Sequence, residues 1–307
     1  MKIVQRLEGS DAVMYIFDEV PINTKFNRNI LIVGSSGSGK SFLGRILRDQ
    51  LKPRLTFIYK EDNTYSDVVR VSGFRPDISV NPLEFLNSFN DSLDISSSGF
   101  MASQVMPLLT SEVASHKDVA NLMRGLKNDM SPKKSKLDVI SFGLYSFIKQ
   151  RLDLYYPDVK DVVSSLPSGS VLSFDGMSDD EQVFFSDYIL RSAYRDLRDE
   201  VIFIDEIHRL KGLSNGVLGR IVREIRSRGA LVGITQSLSD LPDSLINNFG
   251  TIYHFKSIHF RDLQKLAMLD PDLPVLVKDL NPHEFTEIQT FSEENKGGFQ
   301  WIYTVEE

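Results

Sequence analysis

The chain contains no cysteine, and this absence excludes several kinds of chemistry. Disulfide bridges, thiolate nucleophiles and cysteine-ligated zinc sites all require that side chain. Histidine is also scarce, and its five positions do not have the spacing of a metal site, so we expect structural roles for most of them. His208 is the one that can lie near a bound phosphate, because it follows two acidic residues. The five are His116, His208, His254, His259 and His283.

Long apolar runs and an excess of positive charge are missing as well. No segment approaches the roughly 20 apolar residues that a membrane-spanning helix needs, and the N-terminus lacks the apolar stretch of a signal peptide. We therefore expect a cytoplasmic protein with no membrane partner. The formal net charge is −7, so any contact with nucleic acid has to come from a local basic patch.

The composition is that of a globular protein. Of the 307 residues, 41% are hydrophobic and 25% are charged, which suffices for one large α/β domain or two smaller ones. Outside residues 81–166, apolar strand patterns alternate with helical patterns, which favours a mostly parallel sheet flanked by helices. Residues 285–289 and 299–305 are predicted to form a hairpin. Within 81–166 helical periodicity dominates. We predict an α/β core of residues 1–80 and 167–307 with a mostly helical insertion at 81–166.

A buried strand, a glycine-rich loop and an amphipathic helix follow one another from Ile30 to Leu51. The loop reads G-x-x-x-x-G-K-S, which is the spacing of the phosphate-binding loop of P-loop NTPases. Its glycines let backbone N–H groups approach a triphosphate, and the positive end of the helix points at the same anion. A serine- and glycine-rich turn without a ligand is the alternative. The pattern favours binding of ATP by Gly34, Ser35, Ser36, Gly37, Ser38, Gly39, Lys40, Ser41 and Phe42.

Two carboxylates follow a second apolar strand, where they reach the sheet edge at which such folds bind ligands. They are Asp205 and Glu206, directly after Val201–Ile204. We predict that Asp205 and the Ser41 hydroxyl hold Mg²⁺ and that Lys40 contacts the β- and γ-phosphates. We predict that Glu206 activates the attacking water. The alternative is structural, since acidic residues also favour the first turn of a helix.

A glutamine follows a third apolar strand, which ends in Gly233-Ile-Thr235. This position brings the side chain of Gln236 level with the γ-phosphate of a nucleotide bound at the same edge. We predict that it contacts the phosphate or its water and signals hydrolysis to the loop that follows. The alternative is a glutamine that only caps the next turn.

Taken in order, these motifs resemble the HerA/FtsK superfamily of hexameric DNA-pumping ATPases, and its HerA-like branch in particular. The resemblance spans about residues 29–260. Its more specific parts are Asp205-Glu-x-His208 and Thr235-Gln-x-x-Ser-Asp-Leu-Pro242, because a glutamine that ends this strand is typical of the branch. Further matching segments are Tyr65 and residues 80–83, 166–174 and 223–226.

The resemblance implies a RecA-like core that assembles as a homo-oligomeric, hexameric ring, with ATP between subunits and double-stranded DNA in the centre. Members supply an arginine from the neighbouring subunit, and Arg226 matches that position best. The alternative is that Arg226 only lies on a solvated helix face, together with Arg220, Arg223 and Arg228. Residues 1–28 are too few for the N-terminal barrel of full-length HerA. The length therefore fits a short member, such as a virus- or plasmid-encoded DNA translocase.

Candidate DNA contacts are few. Lys133, Lys134 and Lys136 lie in a break between helical segments, where a loop can project into a pore and touch phosphates; Lys211 is a second candidate. A solvated loop is the alternative. Together the residues and the resemblance predict an ATP-hydrolysing DNA translocase that acts with a nuclease or other DNA-processing partner. The alternatives are a secretion- or conjugation-type ATPase that moves protein or nucleoprotein, and a non-motor P-loop regulatory NTPase.

Overall fold

The structure is a computed structural model. It describes residues 2–7, 13–17, 19–20, 27–60, 65, 68–73, 82–92, 103, 106–115, 121–122, 124–125, 146, 166–213, 216–225, 229–290 and 301–306. The chain forms two compact units: Met1–Thr56 with Arg198–Ser214 and Gly219–Glu307, and Phe57–Leu197 with Asn215–Leu218. The predicted division at positions 81 and 166 stays a prediction. Within the ranges above, no helix has both the length and the apolar character to cross a membrane.

The strands consist mainly of β-branched, aromatic and other apolar residues, and the first two types in particular favour extended backbone. In chain order they are β1 Lys2–Leu7, β2 Val13–Phe17, β3 Ile30–Val33, β4 Leu55–Ile58, β5 Val68–Arg70, β6 Ser170–Ser173, β7 Glu200–Ile204, β8 Gly229–Thr235, β9 Thr251–Phe255, β10 Glu284–Gln289 and β11 Trp301–Glu306.

The strands of the first unit form a mixed sheet in the order β2-β1-β11-β10-β9-β3-β8-β7. Strands β7, β8, β3 and β9 are parallel, with Ile204 opposite Gly233 and Val33 opposite both Thr235 and His254. The residues that follow these strands therefore meet at one edge. The predicted terminal hairpin is confirmed, but it also pairs with β9 and β1, which makes that half of the sheet antiparallel.

The helices whose bounds the structure gives are α1 Lys40–Leu51, α2 Pro82–Ser92, α3 Met106–Ser115, α4 Asp179–Asp196, α5 Val217–Glu224, α6 Asp243–Ile246, α7 Phe260–Leu269 and α8 Leu273–Asp279. In the first unit, α1 packs closely on the sheet because Gly44 has no side chain. A Cβ at this position would lie 2.6 Å from Ile234 Cδ1 and 3.3 Å from Phe203 Cζ. The helix adds Leu43, Ile46 and Leu47 to the core between them.

The second unit is built around aromatic side chains of α2 and α4. Phe85 and Phe89 meet Phe184 edge-to-face, with centroid distances of 5.7 and 6.5 Å. Burial raises the pKa of Asp187 in α4, although its hydrogen bond and ion pair with Arg191, at 2.6 Å, act in the opposite direction. Helices α2 and α3 agree with the helical character predicted for residues 81–166; the rest of that segment lies largely outside the described residues.

Candidate nucleotide-binding site

The glycine-rich loop leaves the carboxyl end of β3 and leads directly into α1. The Gly34 N–H donates to Thr235 O at 3.3 Å, which attaches the loop to the end of β8. Gly37 and Gly39 have φ angles of 78° and 102°, a left-handed backbone that other residues adopt only at a cost. Gly39 is also the N-cap of α1 and provides no side-chain cap, so the first turn can present its N–H groups to an anion.

The interior of the loop has a shape that only glycine permits. A Cβ on Gly34 would lie 2.5 Å from Ser38 Oγ and 2.8 Å from Phe255 Cβ. Ser38 Oγ is buried, and within the described residues it has no hydrogen-bond partner. The buried Lys40 donates from Nζ to Ser35 O at 3.3 Å, so its ammonium group lies against the loop. The loop thus has the left-handed glycine backbone, the cation and the buried hydroxyl that suit a phosphate chain.

A cavity of about 550 Å³ opens beside the loop and has the size of a small-molecule site. Five of the nine residues predicted to contact ATP line it: Gly37, Gly39, Lys40, Ser41 and Phe42. Arg45 and His283 line it too. The guanidinium carbon of Arg45 lies 5.5 Å from the centre of the Phe42 ring, a cation–π arrangement.

The two carboxylates lie in the turn that follows β7. Asp205 Oδ1 accepts the N–H of Glu206 at 2.9 Å, which fixes the first turn after the strand. Glu206 has a φ of 52°, which is unusual for a residue with a side chain, and it is buried. Residues held in such sparsely populated conformations cluster at functional sites.

Gln236 and Glu206 are hydrogen-bonded to each other. The Gln236 Nε2 atom donates to Glu206 Oε1 at 3.1 Å and to Oε2 at 3.2 Å. His208 adds a contact from the same turn, with Nδ1 3.3 Å from Glu206 Oε2 and 3.4 Å from Thr235 Oγ1. The structure therefore brings the predicted base and the predicted sensor into direct contact beside the strand that supports the loop.

Ser41 and Asp205, the residues predicted to hold Mg²⁺, offer a hydroxyl and a carboxylate, which are oxygen donors of the kind this ion takes. In the described residues, no group of three or more His, Asp or Glu side chains forms a metal cage. Mg²⁺ does not need one, since in nucleotide sites it is bound by one or two protein ligands, phosphate oxygens and water. Ser41 on the cavity wall and the half-buried Asp205 are the residues that would hold it.

Several predicted site residues fall outside the part of the chain that the structure describes in full. Arg226, Lys133, Lys134 and Lys136 lie outside the described residues, and Lys211 lies in the 3-10 helix Ile207–Leu213 with an undescribed side chain. Two lining residues were not predicted. Arg45 follows Ser41 by one helical turn, so helical spacing could have indicated it, whereas nothing in the sequence around His283 points to the loop.

Neither a family model nor a curated protein sequence similar to this chain was found. Solved structures do share its fold. VirB4 of Thermoanaerobacter pseudethanolicus matches with a TM-score of 0.67 and 14% identity, over 96% of this chain and 94% of that one. The genome packaging NTPase B204 of Sulfolobus turreted icosahedral virus 2, in complex with AMPPCP, matches with a TM-score of 0.50 and 12% identity, over 92% and 100%.

These matches and the glycine-rich loop define the fold. The chain has the α/β, RecA-like fold of P-loop ATPases, with a mostly parallel set of central strands, so the predicted fold class is confirmed. The resemblance to the HerA/FtsK superfamily is confirmed at the level of the fold.

Proposed function

We propose that the protein is an ATP-hydrolysing motor of the HerA/FtsK type. The observation that carries this proposal is the meeting of three elements at one sheet edge. The glycine-rich loop is bonded to the end of β8 through Gly34, and Gln236, which follows β8, is bonded to Glu206, which follows β7. Support for ATP as the nucleotide comes from B204, whose fold is similar and which was solved with AMPPCP.

Each residue of this edge has a distinct task in the proposed reaction. Lys40 and the backbone N–H groups of the loop bind the phosphates. Ser41 and Asp205 would hold Mg²⁺, which would supply further positive charge to the phosphates. Glu206 accepts a proton from the attacking water. Gln236 holds the carboxylate of Glu206 until its amide turns to the γ-phosphate or the water. Release of Glu206 is thereby linked to the presence of substrate.

Our proposals for the oligomer and for the cargo are based on the sequence resemblance to the HerA/FtsK superfamily. We propose a homo-oligomeric ring in which Arg226 of one subunit completes the site of its neighbour, because a guanidinium supplied in trans links hydrolysis to assembly. Double-stranded DNA is the proposed cargo, Lys133, Lys134, Lys136 and Lys211 are its proposed contacts, and a nuclease or other DNA-processing protein is the proposed partner. We expect the motor to act in the cytoplasm, as predicted from the sequence.

A second candidate has the same nucleotide chemistry and a different cargo. It is a secretion- or conjugation-type ATPase that moves protein or nucleoprotein. The fold match with the higher TM-score is to VirB4 and not to the genome packaging NTPase, so the fold gives no preference for DNA. The two candidates differ in what stimulates hydrolysis.

The test measures ATP turnover with and without long duplex DNA, together with the mass of the assembled protein. A DNA translocase requires a hexamer whose turnover DNA increases severalfold. An oligomer that hydrolyses ATP but ignores DNA supports the second candidate, and a DNA-indifferent monomer or dimer supports a regulatory NTPase. Lys40→Ala removes the phosphate cation and should abolish turnover in every case. Lys52→Ala, at the other end of α1, is the matched control that should keep it.

A further inference from the structure

The loop that carries Gln236 is attached to α7 through a buried carboxylate. Asp262 is 2% exposed, and its Oδ1 accepts hydrogen bonds from Ser237 Oγ at 2.5 Å and from the Ser239 N–H at 3.0 Å. Ser257 Oγ donates to Oδ2 at 3.4 Å. A buried carboxylate is costly unless such donors satisfy it, so the loop and the carboxylate stabilise each other.

A second attachment lies almost one turn further along the same helix. Lys265 Nζ donates to Leu241 O at 2.7 Å and lies 2.7 Å from Asp243 Oδ1. The segment from Ser237 to Asp243 is thus held at both ends by α7. Helix α7 is a rigid element, whereas the loop between β8 and α6 has only the short 3-10 turn Leu238–Asp240 of its own.

The first of these attachments adjoins the proposed sensor. Ser237 follows Gln236 directly in the chain, and Ser237 O accepts a hydrogen bond from Thr235 Oγ1 at 3.3 Å. Residues on both sides of Gln236 are therefore fixed. The direction in which its amide leaves the backbone depends on these contacts, and this direction brings Nε2 to the carboxylate of Glu206.

We propose that Asp262 is a positioning residue for ATP hydrolysis, which acts through Ser237 to hold Gln236 in register with Glu206. This inference rests on the proposed function, because it assigns Asp262 a part in the same reaction. Asp262 touches neither nucleotide nor water in this scheme. Asp262 instead affects how often Glu206 and Gln236 have the geometry that hydrolysis needs. A displacement of a reacting group by about 1 Å can lower the rate of a reaction about a hundredfold.

The test compares Asp262→Ala, Asp262→Asn and the control Asp279→Ala, an exposed carboxylate of α8. Asp262→Ala should lower kcat by about ten- to a hundredfold and change KM by less than about threefold, because the phosphate loop is untouched. Asp262→Asn keeps one oxygen acceptor for Ser237 and Ser239 and should recover most of the loss. Asp279→Ala should equal the wild type. If Asp262→Ala does not fold, Ser237→Ala removes the same contact from the loop side and should lower kcat likewise.

The decisive comparison adds Gln236→Ala. If Asp262 acts through Gln236, Asp262→Ala should cause no further loss of kcat in a Gln236→Ala background, since the residue it positions is absent. Independent losses that multiply, or an unchanged kcat in Asp262→Ala, overturn the inference while leaving the proposed ATPase intact. The proposed function is overturned instead if the wild type shows no ATP turnover that depends on Lys40. In that case the inference about Asp262 fails with it.

Discussion

The Nε2 atom of Gln236 lies 3.1 and 3.2 Å from the two carboxylate oxygens of Glu206. One amide thus bonds both oxygens of the group that is proposed to take a proton from water. The two residues are 30 positions apart in the chain and come together because β7 and β8 are parallel neighbours. A water molecule that binds Glu206, or a γ-phosphate that binds Gln236, would have to break this hydrogen-bonded pair.

Glu206→Gln should keep nucleotide binding and lower turnover. The amide retains the size of the side chain but cannot accept a proton, and loss of a general base costs about 10²- to 10⁴-fold in rate. Single-turnover hydrolysis and the Kd of a fluorescent ATP analogue separate the two effects. Glu200→Gln, at the opposite end of β7 and paired with Arg54, is the control. Near-normal turnover in Glu206→Gln would remove Glu206 from the role of base.

Gln236→Glu should move the acid limb of the pH–rate profile to higher pH. Two carboxylates facing each other at this distance cannot both be charged easily, so the pKa of the pair rises and the base is protonated over a wider range. Gln236→Ala provides the comparison, since it removes the amide without adding charge. Superimposable profiles for the two variants would show that the side chain at 236 does not face Glu206 in the working enzyme.

If Arg226 completes a neighbouring site as proposed, Arg226→Ala should leave ATP binding by single subunits intact and lower the turnover of the oligomer. An arginine supplied in trans is worth about 10³- to 10⁵-fold in comparable enzymes. Arg226→Ala subunits mixed with Lys40→Ala subunits should regain part of the activity, because some interfaces then combine an intact loop with an intact arginine. Mixtures that remain inactive at every ratio would contradict action across the interface.

His254 should make the protein less stable in mild acid. It is fully buried, and burial lowers its pKa below the usual 6.5, although a hydrogen bond with Phe255 and the charge of Asp262 act in the opposite direction. Below about pH 6.5 the imidazole of His254 therefore binds a proton in the unfolded chain but not in the native state. The contribution of neutral His254 to the free energy of unfolding is complete above that pH and is lost as the pH falls towards the lowered pKa. It amounts to about 1.4 kcal/mol per unit of difference between the unfolded and folded pKa values.

Denaturant unfolding of the wild type and of His254→Gln between pH 8 and pH 5 measures this effect. The wild type should lose more free energy of unfolding over this range. Burial raises the pKa values of Glu287 and Asp187, and these groups favour the native state as the pH falls. They are common to both proteins, so the difference between the two profiles isolates His254. Parallel profiles would show that His254 does not titrate differently on folding.

The sequence predicted the site best where its signal is local. The spacing from Gly34 to Ser41 lies within one loop, and the local backbone conformation is enough to require glycine at 37 and 39. The strand ends at Glu206 and Gln236 were predictable for a related reason. Nearly all-apolar runs indicate parallel strands, and the carboxyl ends of parallel strands meet at one edge.

Contacts that depend on tertiary packing could not be predicted. Asp262 is one acidic residue in an amphipathic helix, and only the packing of α7 on the loop after β8 shows that it is buried. His283 reaches the nucleotide cavity because β10 pairs antiparallel with β9, which a mostly parallel pattern did not predict.

The pairing of β1 with β11 has a practical consequence for variants of this protein. Lys2 lies opposite Glu306, so the first and last described strands share a ladder of hydrogen bonds. Deleting either strand would therefore leave the other with an exposed edge, the kind of surface that promotes aggregation.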